Sequence, residues 1–279
     1  MKITLILSLV ALSVFAADSK AKWTEWLAQK EKLLKDPYSF AATVDIVKIK
    51  PGATADVPKI GKVFWNGKTE LKFELQGGGS KQMSLLPGAD PKQEYRLEKA
   101  ALTDLINVDG TKWKKSEELA VYFYNPKREG IEKLQKFPTF SYNPSFKVEA
   151  RFQAADHPKE MLIPASRGAP KPFKKIGHLA FNLEGKPQTL SVMVADPSEK
   201  YIFLMFRDAT NEVQTYGAGR YLEIDIDKAV GELKTGEKVT IDFNFAFSPL
   251  CARSKAYFCP YAQDRLNIAV LAGEKALPK

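Results

Sequence analysis

Cysteine and histidine are scarce in this chain of 279 residues, with two residues of each. A metal site built from these ligands needs three or four of them close together, and His157 and His178 are far from both cysteines in sequence. The Gly-x-Ser-x-Gly turn of serine hydrolases and the His-Glu-x-x-His helix of metalloproteases are both missing. We therefore predict no metal site and no cofactor.

Long apolar runs are also scarce, because only residues 3–15 form one. That run follows Lys2 and is shorter than the roughly 20 residues of a membrane-spanning helix. Val14 and Ala16 fit the small-x-small pattern of signal-peptide cleavage. We predict that residues 1–16 are a signal peptide, with a mature protein exported to the periplasm or the extracellular space. The alternative is a buried N-terminal helix, and neither interpretation includes a transmembrane segment.

Concentrated basic patches are the third absence, although the formal net charge is +9. The lysines and arginines are spread along the chain, whereas a nucleic-acid binder usually shows a basic patch within a recognisable motif. We therefore predict no nucleic-acid partner. A positive field favours anionic ligands, so a small anion or a component of the cell envelope is the predicted partner. The sequence contains no signal for the oligomeric state.

The two cysteines, Cys251 and Cys259, are close to each other in the chain. In an oxidising compartment, which the signal peptide predicts, such a pair commonly forms a disulfide. The Cys-x-x-Cys spacing of a redox dithiol is absent. We therefore predict a structural disulfide between them.

One amphipathic helix is predicted over residues 22–34, before Asp36-Pro37. Its apolar residues recur at helical spacing and are Trp23, Trp26, Leu27, Leu33 and Leu34. Such a stripe is typical of a helix that packs on a core, and partner binding by the tryptophans is the alternative.

The remainder of the chain has the pattern of short strands and turns. Asn66-Gly67, a strong hairpin signal, separates the alternating residues 62–65 and 68–75. A second hairpin is predicted around residues 184–187. Further strands are predicted at residues 119–124, 147–153, 201–206, 221–227, 238–247 and 266–271.

No alternation of strands with helices is present, so a parallel nucleotide-binding sheet is not expected. We predict an all-β fold with one N-terminal helix and two modules that resemble β-sandwiches or barrels. The predicted divisions are the signal peptide at residues 1–16, the helix and a small β-sandwich at 17–137, and a C-terminal β domain at 138–279.

Polar and charged residues gather at the ends of the C-terminal strands. They are Arg207, Asp208, Thr210, Tyr216, Gly217, Gly219, Arg220, Asp242, Asn244 and Arg265. Arginine side chains match the geometry of carboxylates and phosphates, and glycines let a backbone approach a ligand closely. The alternative is that these residues form the solvent-facing side of the sheet or ion pairs that fasten strand ends.

The same segments resemble the bacterial proteins grouped as domain of unknown function 1684. The matching segments are residues 206–210, 215–222, 242–244, 251–252, 259–260, 265–266 and 272–275. Compared with that family's pattern, this chain has Asp264 where asparagine is usual before Arg265-Leu266. The resemblance implies no known reaction, and it supports an exported β protein with a site in this region.

Three functions are compatible with these residues. The first is the binding of a small anionic or envelope ligand in a pocket lined by Arg207, Arg220 and Arg265, with Thr210, Tyr216, Gly217, Gly219 and Asn244 nearby. The second is a hydrolase or lyase in which Asp208 or Asp242 is the general base. The third is an envelope interaction module without a pocket. The sequence leaves open whether the protein is an enzyme.

Overall fold

A computed structural model of the protein describes residues 4–57, 61–67, 70–84, 95–96, 107–112 and 118–278. The first three residues of the predicted signal peptide and residues 68–69 of the first predicted hairpin lie outside these ranges. The described helices are α1 (Thr4–Lys35) and α2 (Ile131–Leu134).

The described strands, in chain order, are β1 (Thr43–Ile49), β2 (Thr54–Val57), β3 (Gly61–Trp65), β4 (Glu70–Leu75), β5 (Ser80–Ser84), β6 (Tyr95–Arg96), β7 (Asn107–Lys112), β8 (Leu119–Tyr124), β9 (Lys147–Ile163), β10 (Lys171–Leu183), β11 (Lys186–Val194), β12 (Tyr201–Arg207), β13 (Arg220–Asp225), β14 (Lys238–Asp242) and β15 (Asp264–Arg265). They form four sheets. The predicted all-β fold with one N-terminal helix is confirmed.

The chain divides into two compact units. The unit that we call C-terminal contains Met1–Lys32, Lys136–Ala252 and Phe258–Lys279. The N-terminal unit contains Leu33–Gln135 and Arg253–Tyr257. Most of α1 therefore belongs with the C-terminal sheets.

The N-terminal unit holds two four-stranded sheets, ordered β1-β8-β7-β6 and β2-β3-β4-β5. The predicted hairpin is formed by β3 and β4, in which Trp65 pairs with Leu71. Leu71 and Phe73 are buried while Glu70, Lys72 and Glu74, which alternate with them, are exposed, as the period of two requires. Phe73 packs edge-to-face on Phe123 of β8, and these side chains form the core of this unit.

The C-terminal unit contains a sheet ordered β11-β10-β9-β14 and a three-stranded sheet ordered β13-β12-β15. The second predicted hairpin joins β10 to β11. Its two turn residues, Glu184 and Gly185, both have positive φ angles, as a type I′ turn demands. Leu204 and Phe206 of β12 join Leu179 of β10 in the buried core, so the strand predicted at residues 201–206 is confirmed.

Helix α1 packs on the C-terminal unit through its tryptophans. Trp26 meets Phe137 and Phe245 edge-to-face, with ring centroids 5.3 Å apart in each case. The indole N–H of Trp23 donates to the carbonyl of Asn244 at 3.1 Å. The helix ends before Asp36-Pro37 as predicted, although Leu33 of the predicted stripe is 56% exposed. Within the part of the chain that the structure describes, no helix is both long enough and apolar enough to cross a membrane.

Two predicted strands are shorter in the structure or absent from it. The strand predicted at residues 238–247 ends at Asp242, where a 3-10 turn, Phe243–Phe245, begins. The Asp242 carboxylate accepts the backbone N–H of Asn244, so it caps the turn and stops the strand. Residues 266–271 form no strand, yet Leu266, Ile268 and Val270 are buried. The alternation of apolar residues in this segment therefore reflects the burial of every second side chain, without the continuous backbone pairing of a strand.

Candidate functional site

Arg220 and Asp208 form an ion pair inside the C-terminal unit. Asp208 follows β12 and Arg220 opens β13, and the pairing of Phe206 with Arg220 in these antiparallel strands brings the two side chains together. A nitrogen of the guanidinium lies 2.7 Å from a carboxylate oxygen, and both side chains are 0% exposed. Buried charges are tolerated only when they are paired and hydrogen-bonded, so each residue requires the other.

The Arg220 guanidinium has further buried partners. It donates to the carbonyl of Val270 at 2.9 Å and to that of Ala272, and it lies over the ring of Phe206. Its Nε has no hydrogen-bond partner among the described residues. Burial lowers the pKa of Arg220, and the charge of Asp208 opposes this effect.

The Asp208 carboxylate is also fully engaged. Its Oδ1 accepts the backbone N–H and the hydroxyl of Thr210, at 2.8 and 2.6 Å, and the N–H of Val270 at 3.3 Å. Because Asp208 and Arg220 have no exposed surface, neither contacts a ligand or substrate in this conformation. Together with the buried Thr210, they form a hydrogen-bonded cluster that links the end of β12 to the start of β13.

The neighbouring predicted residues also have structural partners. Arg207 lies 3.3 Å from a carboxylate oxygen of Glu212 and is partly exposed. Gly219 has a φ of +105°, and an added Cβ would lie 2.7 Å from the Phe206 carbonyl oxygen. An added Cβ at Gly217 would meet the flexible side chain of Glu212 at 3.0 Å. Close packing therefore accounts for glycine at position 219.

Asp242 and Asn244 are hydrogen-bonded to each other. Asp242 Oδ1 accepts the backbone N–H of Asn244 at 3.0 Å and its side-chain N–H at 2.8 Å. The Asn244 side chain also bonds both backbone groups of Asn143. Burial raises the pKa of Asp242, and the bonds from Asn244 partly oppose this. The pair ties the end of β14 to the segment before β9.

Arg265 lies in a different setting, an open cleft of about 520 Å³ on the β9-β10-β11 sheet. The lining residues are Glu149, Arg151, Ala180, Phe181, Asn182, Pro187, Gln188, Thr189, Arg265 and Asn267. Arg265 is exposed, and β15 places it beside Arg207 in parallel register with β12. The preceding Asp264 accepts the backbone N–H and the hydroxyl of Ser191, at 2.6 and 3.1 Å. This contact fixes the backbone that carries Arg265.

The charge balance of the cleft is positive. Arg265 forms no ion pair with any described residue, and Arg151 bonds only weakly to the carbonyl of Gly236, at 3.3 Å. Glu149 is the lining carboxylate, and it pairs with Lys238 at 3.0 Å. Two arginines of this concave surface thus have no carboxylate partner among the residues that the structure describes.

The predicted disulfide between Cys251 and Cys259 is wrong for this structure, in which both cysteines are free. The backbone N–H of Cys251 donates to the sulfur of Cys259 at 3.1 Å. The hydroxyl of Tyr216, one of the predicted ligand residues, lies 3.8 Å from the Cys251 sulfur. The backbone therefore holds the two residues as hydrogen-bonded neighbours, and proximity in the chain was insufficient evidence for a bond.

Several residues of this region were missed from the sequence. Arg151 and the polar lining residues of β10 and β11 occupy outward strand positions that look like ordinary exposed residues. Glu274 near the C-terminus is 0% exposed, and it accepts the N–H of Ser248 at 2.6 Å. Gly273, with φ +77°, approaches the Ala246 carbonyl too closely for a side chain. In the sequence, the adjacent Gly273 and Glu274 are the residues that could have indicated this close packing.

The fold and these contacts define an all-β protein whose C-terminal unit combines a buried ion pair with an open, arginine-bearing cleft. Residues 132–275 match the family described as Protein of unknown function (DUF1684), and the chain belongs to that family. It is also similar to an uncharacterized protein of Haloarcula marismortui, solved by solution NMR. That similarity has 31% sequence identity and a TM-score of 0.42, and it covers 50% of this chain and 75% of the other. No curated protein matches the chain.

Proposed function

We propose that the C-terminal unit binds a small anionic ligand in the cleft that contains Arg151 and Arg265. The observation that carries this proposal is the exposed Arg265, which has no ion pair with a described residue and lines a cleft of about 520 Å³. That volume is within the range of small-molecule sites. A guanidinium presents a planar fork that matches a carboxylate or phosphate.

The other lining residues narrow the class of ligand. Asn182, Gln188 and Asn267 offer amide donors and acceptors, and Thr189 offers a hydroxyl. Such groups suit hydroxyl groups next to an anionic centre. A sugar phosphate or a hydroxylated carboxylate, whether free or part of an envelope polymer, fits this combination best.

Binding is favoured over a reaction that uses the predicted bases. The cleft lining includes neither Asp208 nor Asp242. Asp208 has no exposed surface, and Asp242 is bonded to Asn244. The proposed ligand site keeps Arg265 from the predicted pocket and adds Arg151, whereas Arg207 and Arg220 do not line the cleft.

The test is calorimetric titration of the full chain with glucose 6-phosphate, inorganic phosphate and citrate, with glucose as the uncharged control. We expect one of the anions to bind, and Arg265→Ala and Arg151→Ala to weaken binding at least tenfold. Arg265→Lys should also weaken it, because a lysine keeps the charge but loses the fork.

Arg167→Ala is the matched control, since Arg167 is an exposed arginine of the same unit outside the cleft. It removes the same charge and should leave the affinity within twofold. If Arg167→Ala and Arg265→Ala weakened binding equally, the lower affinity would come from the change in net charge and not from a contact in the cleft. Absence of binding by all three anions would contradict the proposal for this class of ligand.

We also propose export, with cleavage after Ala16. The support is the apolar run at residues 3–15 and the small residues that follow it. The intact mass of the protein after expression in a bacterium with its own signal peptidase tests this. A mature species that begins at Ala17 is expected, and a chain that retains residues 1–16 would contradict export by this route.

A further inference from the structure

Three hydrogen-bond donors surround the sulfur of Cys251 in the C-terminal unit. Cys251 lies in a 3-10 turn, Leu250–Ala252, and is half-buried. Its own N–H binds the sulfur of Cys259 at 3.1 Å, which holds the two side chains close. The Cys259 thiol, the Tyr216 hydroxyl and the Ser166 hydroxyl all hydrogen-bond to Cys251.

Two of these donors are fixed by further contacts. Ser166 accepts the N–H of Cys259 at 3.0 Å, and its own N–H donates to the Cys259 carbonyl at 2.8 Å. The backbone carbonyl of Tyr216 accepts from the Asn211 side chain at 2.6 Å, which holds the segment that carries the phenol. The donors are therefore arranged before any reaction occurs.

The electrostatic consequence differs between the two thiols. The hydrogen bond from Cys259, with those from Tyr216 and Ser166, lowers the pKa of Cys251 to about 6 against the opposing effect of burial. The bond to Cys251 and burial raise the pKa of Cys259. Burial also raises the pKa values of Tyr216 and Tyr221, the ionisable groups beside the pair. These opposite shifts favour a thiolate at Cys251 rather than at Cys259, with neutral hydroxyls beside it.

We propose that Cys251 is a nucleophilic thiolate that reacts with small electrophiles such as hydroperoxides, while Cys259 and Tyr216 stabilise it as hydrogen-bond donors. A thiolate is the reactive form of cysteine, and partial exposure gives it access. This is a different role from the predicted structural disulfide, because it requires Cys251 to be free and charged in the resting protein.

The reaction with hydrogen peroxide balances simply. The Cys251 sulfur attacks one peroxide oxygen, so a sulfur–oxygen bond forms while the oxygen–oxygen bond breaks. The sulfur loses two electrons and becomes a sulfenic acid. The departing hydroxide takes a proton from the solvent and leaves as water.

The decisive measurement is the pH dependence of iodoacetamide alkylation of the full chain, with each cysteine followed by peptide mass spectrometry. The pH at the midpoint of the alkylation curve is more informative than the alkylation rate, because a lower thiol pKa also lowers the intrinsic nucleophilicity of the thiolate. Cys251 should show a midpoint near 6, whereas the urea-unfolded chain should show the ordinary value of about 8.5. Cys259 should stay largely unmodified below that value.

Two variants test the donors. Cys259→Ser and Tyr216→Phe should each move the Cys251 midpoint upward, with the larger shift for Cys259→Ser. Tyr261→Phe is the control for loss of an aromatic hydroxyl nearby and should leave the midpoint unchanged. If Cys259→Ser does not fold, Tyr216→Phe alone still decides the matter.

A second readout uses hydrogen peroxide and the sulfenic-acid reagent dimedone. A dimedone adduct should appear on Cys251 and be absent from the Cys251→Ser variant. A Cys251 midpoint at or above about 8.5 would overturn the proposal. So would a protein whose thiols react only after reduction, because its cysteines would be joined in the resting state.

Discussion

Two arginines of the C-terminal unit, Arg220 and Arg265, look alike in sequence but occupy opposite environments. Each stands at a strand end among polar residues. Arg220 is fully buried and bonded to Asp208 at 2.7 Å, while Arg265 is exposed in an open cleft and forms no ion pair with a described residue. The difference shows that an arginine at a strand end can be buried when the fold places a carboxylate beside it, and stays exposed otherwise.

The two environments have different energetic requirements. Breaking a buried pair leaves a charge without compensation in the interior, which is strongly destabilising. An exposed arginine keeps its hydration and contributes little to stability, so it stays available to bind an anion. The fold therefore depends on the first arginine, and the proposed function depends on the second.

The largest expected effect comes from Arg220→Met, which removes the buried guanidinium and leaves Asp208 without its partner. The variant should lose about 3–5 kcal/mol of unfolding free energy. Urea denaturation of the full chain, followed by circular dichroism, measures this. The control is Arg207→Met, whose partly exposed pair with Glu212 should contribute less than about 1 kcal/mol. Similar losses in the two variants would refute the structural role of Arg220.

Gly219→Ala tests whether this glycine serves packing or a ligand. Its φ of +105° and the close Phe206 carbonyl oxygen predict a loss of about 1–3 kcal/mol. Gly217→Ala is the matched control, because there the added Cβ meets only the side chain of Glu212. If both variants are as stable as the parent protein, backbone strain and packing do not explain Gly219.

Local features of the fold could be predicted from the sequence because their causes are local. The period of two in β4 and the Glu184-Gly185 turn are decided by neighbouring residues, and both hairpins were found. The end of β14 was missed, because the alternation continues through Phe243 and Phe245 while the Asp242 cap interrupts the strand.

The site was harder to predict, since it depends on residues distant in the chain. The strand-end pattern placed Asp208 and Arg220 close together correctly, but it could not reveal that they compensate each other inside the core. Arg151 and Arg265 become neighbours of one cleft only through the sheet order and β15. Nothing in the sequence around Arg151 distinguishes it from an ordinary outward-facing strand residue.

Asp242→Ala examines an intermediate case, a half-buried carboxylate that caps a short turn. Losing its bonds to the backbone and side chain of Asn244 should lower stability by about 1 kcal/mol. Asp242→Asn keeps an oxygen acceptor for the backbone N–H, so it should retain much of this stability. Thermal unfolding of both variants measures the difference. A larger loss for Asp242→Asn than for Asp242→Ala would contradict the capping role.

Arg265→Ala should have the smallest effect on stability and still weaken the proposed binding at least tenfold. Because Arg265 is exposed and forms no ion pair with a described residue, its removal should change the unfolding free energy by no more than about 0.5 kcal/mol. The same urea denaturation that is applied to Arg220→Met measures this. A loss comparable to that of Arg220→Met would mean that Arg265 supports the fold, and the contrast between the two arginines would fail. If Arg265→Ala kept its stability and lost anion affinity, Arg220 would be the arginine that stabilises the unit and Arg265 the one that binds the anion.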